Sequence, residues 1–560
     1  EHVAPNVLRY GLGKIEDLST SGMPSDLILA GQDTWIGCRL GWHMYCAGIR
    51  RVLAPRGGKF VSRSTLLLAA MRFVRALVTR TESKLIQATR GLRVRMLRQP
   101  ALASVVRELR YLEQRAAGSF GIGGLRASTD TLVKLPPLLA AEQFVPGRVA
   151  LVNGGLAWGG VERQIVCLLR HLALRPSVES VMLVCQNLFD TPGCDFFLPR
   201  LKDAPADVVE ATSAADDGIL VAACRRNPDA AGFIANLPRE LQVEVRRFAV
   251  EFLRRRPAIV HAFQDTPSAA AGLAAVIVGV PRIILSSRNM RPTNFAYYRS
   301  YLLPTYRALA ACERVVLSNN SDAGAADYAR WIGVPRSHFQ VLRNGIADIP
   351  RPDAAEVATF RQSLGVPDGA PLVGSVFRFY AEKRPLLWIE VAGQLARRFP
   401  DAHFLIVGTG PMRGKMLRRA KSLGIADRLH MPGTTHNVPV AISALSVFVL
   451  TSEFEGTPNV VLEAGLLGVP VVVTQAGGTG ETIDQGRTGW CVPEADAKSI
   501  AARVAQVLGD PAWAAAAKAA APEFIRARFG LQRMIDETIA QYGLVATAEA
   551  RHADAPAASG

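Results

Sequence analysis

Glu453-Phe-Glu455-Gly456-Thr457-Pro458-Asn459-Val-Val-Leu-Glu463-Ala464 sets two carboxylates, Glu455 and Glu463, eight positions apart across a loop-to-helix junction. Gly456, Pro458 and Asn459 read as the turn and the helix cap, and Val460 onward as the first helical turns. Glu455 then falls on the loop and Glu463 about one turn into the helix. Both reach a polyhydroxylated ligand lying over the helix N-terminus, where free backbone N–H groups also favour phosphate oxygens.

Outward from this stretch, short apolar runs alternate with helical ones, the pattern of doubly wound α/β sheets. From Arg148, strands are predicted at 149–153, 180–185, 258–263, 282–286, 314–317 and 339–342, with a Gly-rich loop at 154–160 and a helix at 161–174. A second run begins near Pro371, with strands at 372–376, 403–407, 428–431, 447–450 and 471–474. Two such units in succession imply two Rossmann-like domains facing a cleft, with ligands beyond the carboxyl ends of the strands. Residues 522–542 read as one long final helix. The Ala-rich stretch 544–560 has few large apolar residues and reads as a disordered tail. The expected divisions are 1–146, a basic and mostly helical N-terminal region; 147–345 and 346–525, the two Rossmann-like domains; 526–543, a cross-over helix; and the tail.

At 560 residues and 49% hydrophobic, the chain can bury several cores and is not a disordered protein. The longest apolar run, Ala269 to Pro281, is too short and too rich in Ala and Gly to span a bilayer. The first residue is Glu1, not Met, so a targeting segment before it stays open. Eight cysteines are scattered without a Cys-x-x-Cys pair, which fits free thiols in a reducing cytoplasm. Cys38 and Cys46 flank His43, a spacing that reads as packing and not as a zinc site.

Of the net charge of +17, most lies in one place: Arg50 to Arg115 holds 16 Lys/Arg against three acids. Residues 64–78, with Leu66, Leu67, Leu68, Phe73, Leu77 and Val78 around Arg72 and Arg75, suit a basic amphipathic helix. An anionic membrane surface accounts for both its arginines and its apolar face. A solvated Arg-rich helix accounts for them equally well. Nothing supplies a nucleic-acid signature.

A diphosphate ligand needs fixed cations and backbone donors. Arg378 and Lys383 follow the first strand of the second unit and offer a planar fork and a point charge. In the first unit, Gly154-Gly155-Leu-Ala-Trp158-Gly159-Gly160-Val-Glu162-Arg163 follows the first strand and opens a helix, a setting in which backbone N–H groups approach phosphate closely.

Taken together these residues resemble the signature of retaining GT-B nucleotide-sugar glycosyltransferases, the group that includes glycogen-synthase-like enzymes and bacterial polysaccharide glycosyltransferases (glycosyl transferases group 1). That pattern is Glu, seven residues, Glu, then Ala-Gly or Ala-Met, Gly-x-Pro, an apolar strand and Gly-Gly-x-x-Glu. Here it continues as Ala464-Gly465, Gly468-Val469-Pro470, Val471-Val472-Val473 and Gly477-Gly478-Thr479-Gly480-Glu481. The resemblance implies that Glu463 binds the nucleotide ribose and that Glu455 contacts the transferred sugar. Arg378 and Lys383 would bind the diphosphate. Gly159, Gly160, Gly408, Gly410, Gly456, Thr457, Pro458 and Asn459 would complete the donor site, with Met431-Pro432-Gly433 near the base. Asn344-Gly345 resembles the group's Asn-Gly-Val-Asp hinge, with Ala347 in place of Asp. His261 keeps the first His of a His-x-His element whose second position is Phe263, and on an inward-facing strand it reads as a packed core histidine. Asp265, Arg288 and Arg291 are taken as loop residues toward an acceptor.

The expectation is therefore an α/β GT-B hexosyltransferase that moves a sugar, with retention, from a nucleoside diphosphate to a hydroxyl of a glycan or lipid-linked acceptor in envelope or exopolysaccharide synthesis. No cofactor is expected, and the lack of an Asp-x-Asp pair implies metal independence. The setting is cytoplasmic, peripheral at the inner face of the cell membrane through residues 50–115, with no nucleic acid as partner. Two other readings stay open: a phosphorylase or sugar-nucleotide epimerase on the same architecture, and a membrane adaptor with an inert body.

Overall fold

The computed structural model describes residues 130–544 apart from 190, 212–216, 296, 436 and 494. The expectations for the basic segment, the helix at 64–78, the Cys38–Cys46 pair and the tail from 545 on lie outside the described residues. The described residues from 130 to 294 and from 298 to 544 belong to one compact unit.

Within that unit the chain builds two lobes, each on an all-parallel sheet. In lobe 1 the strands are β1 (Val145–Asn153), β2 (Ser180–Cys185), β3 (Asp207–Glu210), β4 (Pro257–Phe263), β5 (Arg282–Ser287), β6 (Val315–Asn319) and β7 (Phe339–Val341), in the order β3-β2-β1-β4-β5-β6-β7. Lobe 2 holds β8 (Leu372–Val376), β9 (His403–Val407), β10 (Leu429–Gly433), β11 (Val447–Leu450), β12 (Val471–Thr474) and β13 (Gly489–Val492), in the order β10-β9-β8-β11-β12-β13. Strands covered by helices on both faces are apolar throughout, and this is why runs such as Val447-Phe-Val-Leu450, buried at every position, read so clearly as strands. The order reverses between β1 and β4 in one sheet and between β8 and β11 in the other. A ligand crevice opens at such a switch point because the connections on its two sides depart in opposite directions.

Helices α1 (Gly160–Leu172), α2 (Asp265–Val278) and α3 (Asp322–Ile332) follow β1, β4 and β6, and α4 (Asn459–Leu466) follows β11. The apolar run flagged at Ala269 is α2, buried from Pro267 to Val278. A helix enclosed on every side needs no polar face. No helix among the described residues is long and apolar enough to cross a membrane. The described cysteines are free, and burial pushes the Cys185 thiol up to about 12.

The end of the chain departs from the expected single helix. It forms α5 (Pro511–Phe529) and α6 (Leu531–Tyr542), which meet at Gly530. Pro522 resembles a helix start, since proline suits the first turn, yet it lies inside α5. The helix begins instead at Asp510, whose side chain accepts from the Trp513 N–H at 2.9 Å, and the Ala-rich stretch before Pro522 continues it. The break at Gly530 is made by distant chain: Ile346 N–H donates to Phe529 O at 2.8 Å and Leu531 N–H donates to Ile346 O at 3.0 Å. Ile525 and Phe529 of α5 pack on Leu462 and Leu466 of α4 in lobe 2, whereas Met534, Ile535 and Ile539 of α6 join Val149, Leu151 and Ile165 in lobe 1. Tyr542 Oη lies 2.9 Å from His261 Nδ1, and His261 Nε2 lies 2.7 Å from Ser286 Oγ. Burial, aided by Arg288, holds this imidazole well below its ordinary pKa, so His261 is a neutral core residue tying α6 down.

Ile535 is fully buried at this seam. Ile535→Ala is expected to destabilise the protein by about 2–5 kcal/mol through lost packing and the cavity it leaves. Equilibrium urea unfolding checks this, and an unchanged midpoint would show that α6 is not docked.

Candidate functional site

The connection after β8 carries Arg378 and Lys383, the one after β11 carries Glu455, and the switch point of lobe 2 brings Lys383 to Glu455. Lys383 Nζ pairs with Glu455 Oε1, and the Ser452 hydroxyl donates to the same oxygen at 2.6 Å. Glu455 is 7% exposed, and its backbone N–H donates to Ala476 O at 3.1 Å. Arg378 lies 5.6 Å over the ring of Tyr380. Gly408 and Gly410, expected beside a nucleotide, run under this loop with φ of 144° and 155°. Phe379 N–H donates to Thr409 O at 2.9 Å, and a Cβ on Gly410 would meet the Phe379 backbone at 2.8 Å. These glycines therefore let the strand end support the Arg378 segment. Gly433, at the end of β10, accepts from Gly408 N–H at 2.7 Å, so Met431-Pro432-Gly433 lies in the strand next to β9.

Glu463 sits in the first turns of α4 and is 5% exposed. Its carboxylate pairs with the guanidinium of Arg163, which comes from α1 in lobe 1. Burial pushes its pKa up, and the Arg163 charge pulls it back down. The expected cap of α4 differs from the reading. Pro458 occupies the cap position with no side-chain bond, and Asn459 turns outward to lobe 1, its Nδ2 donating to Gly160 O at 3.1 Å.

Beside Arg163, Glu162 is half-buried against Gly159 and accepts from Gln264 Nε2 at 2.8 Å. Burial raises its pKa, while bonds from Gln264 and Asn153 and the charge of Arg378 across the cleft oppose the rise. Gln264, at the switch point after β4, holds φ 64° and ψ 170°, a region nearly confined to glycine. Arg384 has φ 47°, and its guanidinium donates to Thr451 O and Ser452 O at 2.8 Å each, joining the β8 and β11 connections. No residue-type signal marks either strained backbone, and both were missed in the sequence.

The lobes meet at the loop of the opening stretch. Asn344 Nδ2 donates to Thr457 O at 3.1 Å and to Asn459 Oδ1 at 2.7 Å, and Thr457 Oγ1 donates to Asn320 O at 2.6 Å. Glu481, quoted only as the end of a motif, accepts from Asp322 N–H at 3.0 Å and Ala323 N–H at 2.9 Å, capping α3 from the opposite lobe.

The three residues taken for acceptor contacts separate. Asp265 is not on a loop: it opens α2, and Tyr306 and Tyr328 donate to its carboxylate at 3.1 and 2.7 Å. Burial lifts its pKa to about 6. Arg291 turns to Asp327, its N–H donating at 3.0 Å. Arg288 reaches the interlobe network, donating to Asn344 Oδ1 at 3.1 Å with its guanidinium 4.9 Å over the Phe263 ring, and burial lowers its pKa to about 10. Exposed rings of Trp158 and Phe196, 6.2 Å apart, flank the loop after β1. Among the described residues no three His, Cys, Asp or Glu gather where a metal could be held.

Gly456 presses against lobe 1 so closely that a Cβ would lie 2.5 Å from Arg288 O. Gly456→Ala is expected to force the lobes apart, seen as an increased radius of gyration in small-angle scattering with unchanged far-UV circular dichroism. Identical scattering from both proteins would refute the contact.

Residues 356–524 match the family model described as glycosyl transferases group 1. The Vi polysaccharide biosynthesis protein VipC/TviE of Salmonella typhi is 30% identical over 370 residues, covering 63% of this chain. The chain spans 64% of the length of that relative. A 2-deoxystreptamine N-acetyl-D-glucosaminyltransferase of Streptomyces fradiae is 29% identical over 393 residues, 67% of this chain and 88% of that protein. Among solved structures, Anabaena Alr3699/HepE in complex with UDP superposes with a TM-score of 0.57 at 17% identity, covering 71% of this chain and all of that one. The two-lobed fold is thus GT-B.

Proposed function

From a glycosyl transferases group 1 segment set in a GT-B body, we propose that the chain is a retaining glycosyltransferase. It moves a sugar from a nucleoside diphosphate to a hydroxyl of a glycan or lipid-linked acceptor, in the synthesis of a bacterial surface polysaccharide. The observation that carries the reading is the pairing of Lys383 with Glu455 at the switch point of lobe 2, with Arg378 on the same connection as Lys383 and Glu463 about one helical turn into α4. The name of the Streptomyces relative points to sugar transfer and that of the Salmonella relative to polysaccharide biosynthesis, and both support this reading.

In the proposed step the bond from the anomeric carbon to the diphosphate oxygen breaks and a bond to the acceptor oxygen forms on the same face. The acceptor proton passes to the departing diphosphate. Arg378 and Lys383 stabilise the charge that builds on that leaving group, and Glu463 accepts from the ribose hydroxyls. Lys383, held by Glu455, can exchange that partner for a phosphate oxygen, which frees the carboxylate to orient the sugar and to favour its oxocarbenium-like transition state. No residue is needed as a nucleophile. A divalent metal is not required if the two cations carry the diphosphate charge. The acceptor lies against lobe 1, on the side of Arg288, which alone of the three expected acceptor residues reaches the interlobe network. The proposed setting is the cytoplasmic face of the membrane, with the basic segment 50–115 on anionic lipid.

Glu455→Ala is expected to lower turnover on the order of 100-fold while nucleotide affinity changes little. Steady-state kinetics with a competent acceptor check it, and an unchanged rate would remove Glu455 from the reaction. NMR of the product anomer tests retention, and an inverted product would refute it. Excess chelator should leave the rate unaltered. Donor incubated alone, or glycan with phosphate, tests the epimerase and phosphorylase readings.

A further inference from the structure

We propose that Arg163 is a positioning residue from lobe 1 that makes recognition of a nucleoside diphosphate's ribose diol by Glu463 conditional on closure of the lobes. The inference rests on the donor-site reading given above for Glu463.

The two side chains come from opposite lobes, and their pair is built rather than incidental. Arg163 lies one position before Gln164, whose amide grips the interlobe connection at both ends. Gln164 Nε2 donates to Gly345 O at 2.8 Å, and Gly345 N–H donates to Gln164 Oε1 at 2.9 Å. On its other side, Gly160 O accepts from Asn459 of α4. The start of α1 is thereby docked on the start of α4, and only in that arrangement does the Arg163 guanidinium meet the Glu463 carboxylate.

Glu463 needs that charge. A carboxylate this far from water is costly unless paired, and it tends to take up a proton. Burial acts on Glu463 in that direction, and Arg163 is the charged group acting against it. The other elements around Glu463 offer no substitute. The segment Val438–Ser443 and strands β11 and β12 contain no ionisable residue, and Lys518, Glu523, Arg526 and Arg528 of α5 are exposed. On α1 itself, Glu162 faces Gln264.

Protonation matters chemically because a diol donates two hydrogen bonds. The ionised carboxylate offers acceptors on both oxygens, whereas the protonated acid turns one of them into a competing donor. Arg163 is 40% exposed, so it can stay paired while a ribose docks. Opening the lobes withdraws the guanidinium that holds the Glu463 carboxylate in place for the diol, which favours nucleotide release.

The test is calorimetric titration of the full chain with UDP, GDP and ADP between pH 5.5 and 8.5, for wild type, Arg163→Met, Arg163→Lys, Glu463→Gln and the Met/Gln double variant. Wild type should bind one of the three. Arg163→Met should weaken that binding at least about tenfold at low pH, with the gap narrowing as pH rises and Glu463 ionises unaided. Arg163→Lys should restore most of it. Combined with Glu463→Gln, Arg163→Met should cost little more, since both act through one carboxylate. If wild type binds none of the nucleotides, the donor-site reading falls and this inference with it. If wild type binds and Arg163→Met matches it with a parallel pH profile, the inference alone is overturned. The same holds if Arg163→Met is weaker by a factor independent of pH.

Discussion

The side chain of Asn344 holds the two lobes in register. It is 4% exposed, and its amide is used at both ends: Nδ2 donates to Thr457 O and Asn459 Oδ1 in lobe 2, and Oδ1 accepts from Arg288 and Asn320 in lobe 1. An amide with two donors and a two-lone-pair acceptor can do no more than this, and an unpaired member of such a buried set would cost about 1–3 kcal/mol. Any shift of one sheet against the other breaks several of these bonds together. The loop from Glu455 to Asn459 is therefore positioned from both sides, by the β8 and β11 connections within lobe 2 and by Asn344 and Asn320 across the cleft.

This explains which parts of the molecule the sequence revealed. Strands β1, β2, β4, β5, β8, β9, β11 and β12 are buried on both faces and announce themselves as apolar runs. The edge strands β3, Asp207-Val-Val-Glu210, and β13, Gly489-Trp-Cys-Val492, carry polar or partly exposed positions, and neither was anticipated. The break at Gly530 was equally hidden, because its cause is a backbone pairing with Ile346, more than a hundred positions earlier. Arg378, Lys383, Glu455 and Glu463 could be named because chemistry restricts their type and a family pattern fixes their order. Gln264, Arg384 and the pairing of Arg163 with Glu463 could not, since each arises from backbone geometry or from a neighbour in the other lobe.

The glycines divide along the same line. Gly408 and Gly410 have positive φ and lie against the backbone of Phe377 to Phe379, so they serve lobe 2 alone. Gly456 and Gly478 have ordinary φ, yet a Cβ on either would strike lobe 1, at Arg288 or Ser321. In the sequence Gly408, Gly410 and Gly456 read as donor-site or turn glycines and Gly478 as part of a motif. Their different tasks appear only when the space around each is known.

The character of the interlobe contact bears on how such a protein can turn over. The apolar cores belong to separate lobes, and α6 is carried wholly on lobe 1. Among the described residues the bonds that cross the cleft are polar: the Asn344 cluster, Glu481 on the α3 terminus, Arg343 with Glu481 at 3.4 Å, and Arg163 with Glu463, with Met290 against Gly477 as an apolar contact beside them. Hydrogen bonds and ion pairs exchanged for water contribute little net free energy, whereas separating an apolar interface exposes area at about 25 cal/mol per Å². A polar seam thus gives a closed state that is exact in geometry but shallow in energy. A lobe pair sealed by leucines would hold its ligand site shut. One sealed by asparagines and carboxylates can open for each exchange of ligand and return to the same register.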